Sequence, residues 1–190
     1  NSYNFINIKL GITHSLDLQV VAGTLVTSKI VDGNLTYKKS GFGGLTVRAK
    51  QNIWGNDNGK TALAVLPFIN IPTASFEKIS GGVTIPFAMS LGGNWGLGTQ
   101  LETDIEDDEA ENGYHFNFLA AATVSHPLFK NLDFFIENVV TRDNEVEAYQ
   151  YFLDGGLVYT AGTNIKVDCG FYCGLRNTSS KIYFIGVSFR

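Results

Sequence analysis

From Ile165 to Arg176 the chain exchanges apolar for polar or small residues at every step. Ile165, Val167, Cys169, Phe171, Cys173 and Leu175 alternate with Lys166, Asp168, Gly170, Tyr172, Gly174 and Arg176. Only a backbone that turns successive side chains to opposite sides gives such a segment one greasy face and one polar face, so a period of two reads as β-strand. The same division recurs at Leu45, Val47, Ala49 and Ile53 against Gly44, Thr46, Arg48 and Lys50. It recurs again at Trp95, Leu97, Leu101 and Ile105 against Asn94, Gly96, Gly98, Gln100, Glu102 and Asp104. Read for this period, the chain holds eleven strands, at 3–12, 16–29, 42–54, 60–73, 81–92, 94–106, 114–126, 132–143, 149–162, 163–176 and 181–190.

Alternation also suits a soluble sandwich, so length and connections carry the distinction. Segments of about 10 to 14 residues match the roughly 9 to 11 that a tilted membrane strand needs and exceed the five or six of a typical soluble strand. Tight turns are expected to alternate with longer polar loops, the longer ones including 30–41, 74–80, 107–113, 144–148 and 177–180. That asymmetry predicts an all-β, antiparallel transmembrane barrel, with short turns on one rim and longer loops on the other. Tyr3, Trp54, Trp95, Tyr114, Tyr149, Tyr159 and Tyr183 fall towards segment ends, where interfacial aromatic girdles belong.

Composition agrees with a membrane strand protein. Charged residues make up 17% of the 190, against roughly 25% in soluble domains, while Gly (21), Phe (14) and Tyr (8) are plentiful. There is no uninterrupted apolar run of about 18 residues to serve as a transmembrane helix. The net charge of −4, without a basic stripe, excludes a nucleic-acid footprint and leaves membrane lipids and a small-molecule solute as the expected partners.

Catalytic and metal chemistry find little support. There is no Gly-x-Ser-x-Gly motif around a nucleophile, and His14, His115 and His126 read as rim or solvated histidines rather than bases. No cofactor is expected and the chain is not expected to be an enzyme. The acidic stretch from Asp104 to Glu111 lacks the spaced ligands and glycine of an EF-hand and reads as a solvated outer loop. Cys169 and Cys173, the only two cysteines, lie four apart in one strand. At roughly 3.3 Å per residue they are about 13 Å apart, too far to bridge.

The last strand places Tyr183, Ile185, Val187 and Phe189 at every second position, one residue short of Arg190. This resembles the closing signal that outer-membrane barrels present to the barrel-assembly machinery, which becomes an expected partner during biogenesis. A terminal Phe after Arg190 would complete it, so the chain is expected to be cut at that end. The closing segment is also similar to a family's pattern of Gly-Leu-x-Tyr, a turn with Asn, an Asp before a Gly-rich strand, and Gly-x-Ser-x-Arg. Here these are Gly156, Leu157, Tyr159, Asn164, Asp168, Gly170, Gly174, Gly186, Ser188 and Arg190, with weaker matches in ALAVLPFINIPT and at Glu137 of FFIEN. The chain thus resembles the bacterial family labelled Putative MetA-pathway of phenol degradation, a group of outer-membrane transporter-like proteins. The resemblance implies a barrel in the outer membrane of a Gram-negative bacterium and suggests transport, without identifying a solute.

Under this register the charges facing the lumen are Lys9, Asp17, Arg48, Lys50, Glu102, Asp104, Asp133, Glu137, Asp154, Lys166, Asp168 and Arg176. Arg48, Lys50, Glu102, Glu137, Asp154, Lys166, Asp168 and Arg176 are the candidate pore lining, able to set a transverse field that screens solutes by charge and size. The function expected is a porin-like channel or transporter for small solutes, hydrophobic or aromatic compounds among them. Two alternatives stay open. In one, opposite charges pair into a plug and make a structural or adhesive barrel. In the other, the barrel is soluble and binds an apolar ligand, with Val167, Phe171 and Leu175 inside.

A closed bacterial barrel normally has an even strand number with both termini in the periplasm. Eleven strands leave Tyr3 at the far rim, so residues 1–190 are expected to form a single barrel domain lacking one N-terminal strand and a signal peptide, twelve strands in all. Sequencing the full gene should reveal an alternating segment of about ten residues upstream. A mature protein beginning at Asn1 with its first and last strands paired antiparallel contradicts the strand count.

Overall fold

The computed structural model describes residues 2–32, 35–55, 59–73, 78–108, 113–144, 148–176 and 181–190. Side chains are described over the same ranges except 2–3, 24–32, 35–40, 107–108 and 176. The strands are β1 (Ser2–Gly11), β2 (Leu16–Asp32), β3 (Leu35–Gly41), β4 (Leu45–Trp54), β5 (Thr61–Ile71) and β6 (Ser80–Ser90). They continue as β7 (Gly96–Asp108), β8 (Gly113–Phe129), β9 (Leu132–Asp143), β10 (Ala148–Ala161), β11 (Ile165–Arg176) and β12 (Lys181–Phe189). A single 3-10 turn at Gly92–Asn94 is the one helical element among the described residues.

All strands belong to one antiparallel sheet in chain order. β3 and β4 share one position, since β3 pairs with the Val26–Asp32 half of β2 and β4 with its Leu16–Ala22 half. The eleven positions match the eleven expected strands. The break between β3 and β4 is a glycine pinch. Gly43 donates to Gly23 O at 2.6 Å and Gly23 donates to Gly44 O at 3.1 Å. A Cβ on Gly23 would lie 2.8 Å from the Gly43 Cα, and Gly44 has φ +91°, so both positions require glycine.

Two expected loops are strand instead. The segment 30–41 was expected as a loop, yet Asp32 pairs with Leu35 and the ladder runs back to Val26 and Gly41, forming a two-stranded ribbon. β7 continues through Asp108, so Asp104 to Asp108 are ladder residues rather than a solvated outer loop, and 109–112 lie outside the described residues. The two rims differ less than the sequence suggested. Connections at one end run from two to six residues and at the other from four to eight, apart from the β2–β3 ribbon.

The sheet is open. β1 and β12 are its edges, and with eleven alternating positions they run in the same direction. Cross-strand partners share a face, so the register fixes both surfaces. One row on the apolar side reads Ile85, Leu101, Ala120 and Val140. Val167 faces Val187 and Phe171 faces Tyr183 on that same side, which also carries Cys169 and Cys173, both free thiols. Burial is inverted relative to a soluble domain. The buried side chains Gln19, Ala64, Thr84, Val139 and Phe152 all belong to the polar side, whereas Leu101 is 61% and Ile185 79% exposed.

The polar face is concave. Lys50 on β4 and Glu137 on β9 line one cavity of about 300 Å³. Six strands laid flat would hold them roughly 24 Å apart at the usual inter-strand spacing, so the sheet curls around that side.

Where β9 to β12 cross the polar side, one row reads Phe135, Gly156, Gly170, Phe184. A Cβ on Gly156 would sit 2.9 Å from the Phe135 ring, and one on Gly170 would sit 2.6 Å from the Phe184 ring. Each ring covers a neighbouring glycine, an arrangement that pins register where glycine alone would let strands slip. Replacing Gly170 with Val should cost about 1–3 kcal/mol by overpacking. The lowered unfolding midpoint in detergent, read from loss of the β-sheet circular dichroism signal, checks it.

Candidate functional site

The polar face carries the charges. Register places Lys9, Asp17, Arg48, Lys50, Glu102, Asp104, Asp133, Glu137, Asp154, Lys166 and Asp168 on it. Arg176 pairs with Tyr151 across a shift in the β10–β11 ladder, and its side chain lies outside the described residues.

One transverse row follows the whole curl: Lys9, Gln19, Arg48, Phe68, Gly82, Asp104, Asn117, Asp143. It runs from cations to carboxylates, and the rest of the face follows it. Lys9, Arg48 and Lys50 sit on β1 and β4, with Asp17 between them on β2. Glu102, Asp104, Glu106, Asp133, Glu137, Asp143 and Asp154 sit on β7, β9 and β10. Among the described residues no Lys or Arg shares that side on β5 to β10. Lys166 and Asp168 on β11 are mixed. The sequence list therefore resolves into two sectors of opposite sign.

Individual partners are mostly uncharged. Glu102 accepts from Thr84 Oγ1 at 2.6 Å and from Gln100 Nε2 at 3.1 Å. Glu137 accepts from Thr123 Oγ1. Asp154 lies directly between Glu137 and Tyr172 in register, and the Tyr172 ring stacks on Phe152 at 4.7 Å. The Arg48 guanidinium lies 5.8 Å from the Phe68 ring centroid, and its Nε has no hydrogen-bond partner. A Cβ on Gly186 would lie 2.7 Å from both Asp168 carboxylate oxygens, so glycine there makes room for the acid. Among the described residues the hydrogen bonds of Glu102 and Glu137 come from neutral side chains, while Asp17 stands opposite Lys50 in register.

The cavity between the sectors has a floor of small side chains. Ala62, Ala64, Ala88, Gly98 and Ala121 lie beneath Lys50, Asn52, Gln100, Thr123 and Glu137. Sequence reasoning selected Lys50 and Glu137 but not the small and hydroxyl residues. Their signal was available as a run of Ala, Gly and Thr at alternate positions facing the charged set.

The histidines do not converge. His115 Nε2 is 4.0 Å from Asp143 Oδ1. His126 lies inside β8, not at its end, with its ring 4.6 Å from Trp95 and its Nε2 3.1 Å from Gly93 O. Phe134 stands edge-on to Trp95 at 5.9 Å, so the three rings form one cluster at the shorter-connection rim. Trp54 and Tyr159 lie at that rim and Tyr114 and Tyr149 at the other, all on exposed positions, while the Tyr3 side chain is outside the described residues. Among the described residues no three His, Cys, Asp or Glu side chains are grouped to hold a metal ion.

Residues 2–189, nearly the whole chain, match one protein family. The chain belongs to the family described as Putative MetA-pathway of phenol degradation. No curated protein matches it. The resemblance drawn from the closing segment thus extends across every strand of the sheet, and the divided polar face is built from strands throughout that match.

Thr84 is buried and its hydroxyl serves the Glu102 carboxylate. Thr84→Val should cost about 1.5–3 kcal/mol, the range for a hydrogen bond to a charged group. Urea titration should show a smaller loss for Thr84→Ser, which keeps the donor.

Proposed function

We propose that this chain forms the wall of a β-barrel in the bacterial outer membrane, with its apolar face in lipid and its polar face around a path for small solutes. The observation that carries the reading is the inverted burial. Among the described side chains a largely apolar surface faces outward, on strands of seven to seventeen residues, while the side turned inward is largely polar. Water penalises such an exterior and hydrocarbon favours it. Closure needs one more strand antiparallel to both β1 and β12, because lipid cannot satisfy the free backbone groups of an open edge. With β3 and β4 counted as one position, that makes twelve positions around the barrel.

The soluble alternative requires Phe171 and Leu175 inside, and they are 43% and 57% exposed. The plugged alternative requires cations and carboxylates to pair; Lys50 and Glu137 share one cavity, yet the hydroxyl that Glu137 accepts from is that of Thr123. A cavity floored by Ala and Gly favours a path. Curling would bring the Arg48 and Lys50 sector to face the Glu102, Glu137 and Asp154 sector, giving the transverse field expected of a selective pore. The family's description ties it to phenol degradation, which supports handling of aromatic compounds by this chain and makes small aromatics the first solutes to test.

Reconstituted in planar bilayers, the full-length protein should conduct ions and pass small aromatic acids or phenols in liposome uptake. Absence of both signals from inserted protein would sink the transport reading. Lys50→Glu should move the reversal potential in a salt gradient towards cation preference. Phe171→Arg should cost roughly 2–4 kcal/mol of stability in lipid if it lies near mid-membrane, and Tyr172→Arg less. Spin labels reporting water at Phe171 and lipid at Asp168 would overturn the orientation.

A further inference from the structure

Among the described side chains two cations stand on the apolar side, Lys181 at the start of β12, in register with Cys173, and Arg142. Arg142 on β9 belongs to the apolar face, in register with Phe118 on β8 and Tyr149 on β10. Its Nη1 donates to Tyr149 Oη at 3.4 Å, and its guanidinium lies 5.4 Å from the Tyr149 ring centroid. Among the described residues no carboxylate pairs with it. A cation on a lipid-facing surface is costly unless it reaches the interface and finds an anion.

Beside Arg142 the apolar face is grooved. Ile85, Leu101, Phe118 and Val140 stand around Ala120, and together with Arg142 and Tyr149 they line a cavity of about 490 Å³. Ala120 supplies the floor because its neighbours in the row, Leu101 and Val140, are larger. The volume lies within the roughly 300–1,000 Å³ of small-ligand sites. A second cation marks the same end of the sheet, since Lys78 Nζ lies 5.5 Å from the ring centroid of Tyr114.

We infer that this groove is a binding site for an anionic lipid, its phosphate held by Arg142 with Tyr149 and one acyl chain lying over Ala120. Charge complementarity names the occupant. The groove offers an apolar channel ending in a guanidinium that has no carboxylate partner among the described residues, and a phosphate diester with a fatty tail suits both. Tyr149 holds the guanidinium towards the rim, where headgroups lie. The inference rests on the membrane reading above.

Full-length protein in phosphatidylcholine nanodiscs doped with phosphatidylglycerol tests it by native mass spectrometry of the retained lipid. Phosphatidylglycerol should be retained in preference to phosphatidylcholine by several-fold. Arg142→Gln should abolish the preference, and Ala120→Phe, which fills the groove and leaves the charge, should lower retention of either lipid. Arg142→Lys should restore part of the preference. Heat-modifiable migration on gels reports insertion independently. A protein that inserts but retains both lipids equally, or whose variants behave as wild type, overturns the lipid site and leaves the barrel standing. A protein that fails to insert overturns the membrane reading and the site with it.

Discussion

A single-layer sheet has only its own ladders to hold it. Most domains bury the apolar side of one layer against another, and here the described residues supply one sheet and a 3-10 turn. Each strand is fixed by the backbone hydrogen bonds to its two neighbours, and the apolar side relies on whatever surrounds the molecule. Backbone pairing therefore decides everything else, because register determines which residues meet on which face. A slip of one residue in β11 would move Lys166 and Asp168 to the greasy side and Val167 and Phe171 to the polar one. The ladders resist this through particular contacts. The Phe135, Gly156, Gly170, Phe184 row interlocks four strands, and the pinch at Gly23 and Gly43 sets where β3 gives way to β4.

Curvature follows from the same placement. Bulky side chains stand outward and small ones inward around the cavity, as in Ile85, Leu101 and Ile136 against Ala88, Gly98 and Ala121. A sheet so loaded bends towards its small side, since the large residues spread and the small ones let neighbouring strands close. The result is a concave polar surface on which Lys50 and Glu137 line one cavity although five strand spacings separate them along the sheet.

Strand positions and faces were legible in the sequence because period two is a strong signal over segments this long. The strand expected at 163–176 appears as Ile165–Arg176, the span over which its residues alternate, and the one expected at 132–143 matches Leu132–Asp143. What was lost lay where the alternation weakens. In LTYKKSG the polar residues Lys38, Lys39 and Ser40 blur the pattern, so 35–41 looked like loop. Yet Gly33 and Asn34 between Asp32 and Leu35 form a dipeptide that favours hairpins, and that was the available clue. Charge misled in the same way at Asp107 and Asp108, where the acidic end of β7, beyond the strand expected at 94–106, was read as solvated loop. The charged members of the site were readable, as were their faces. Their division into two sectors was not, because it depends on which strands curl to face each other. Arg142 was missed although its phase, two positions after Val140, already put it among apolar residues.

The same alternation makes charge cheap on one side and costly on the other. On the polar face the carboxylates of β7 to β10 stand on strands that carry no Lys or Arg on that side among the described residues, a crowding that a low dielectric opposes and water permits. Screening in water is effective beyond roughly 8 Å at physiological salt. A path through about twelve strands is narrower than a 16-stranded porin. A solute in the proposed path would therefore stay close to the wall and feel both sectors before salt could screen them. On the apolar face no such screening exists, and a lone cation persists only near the rim with a partner. The proposed wall selectivity and lipid anchoring would thus draw on one rule, applied to opposite faces of the same strands.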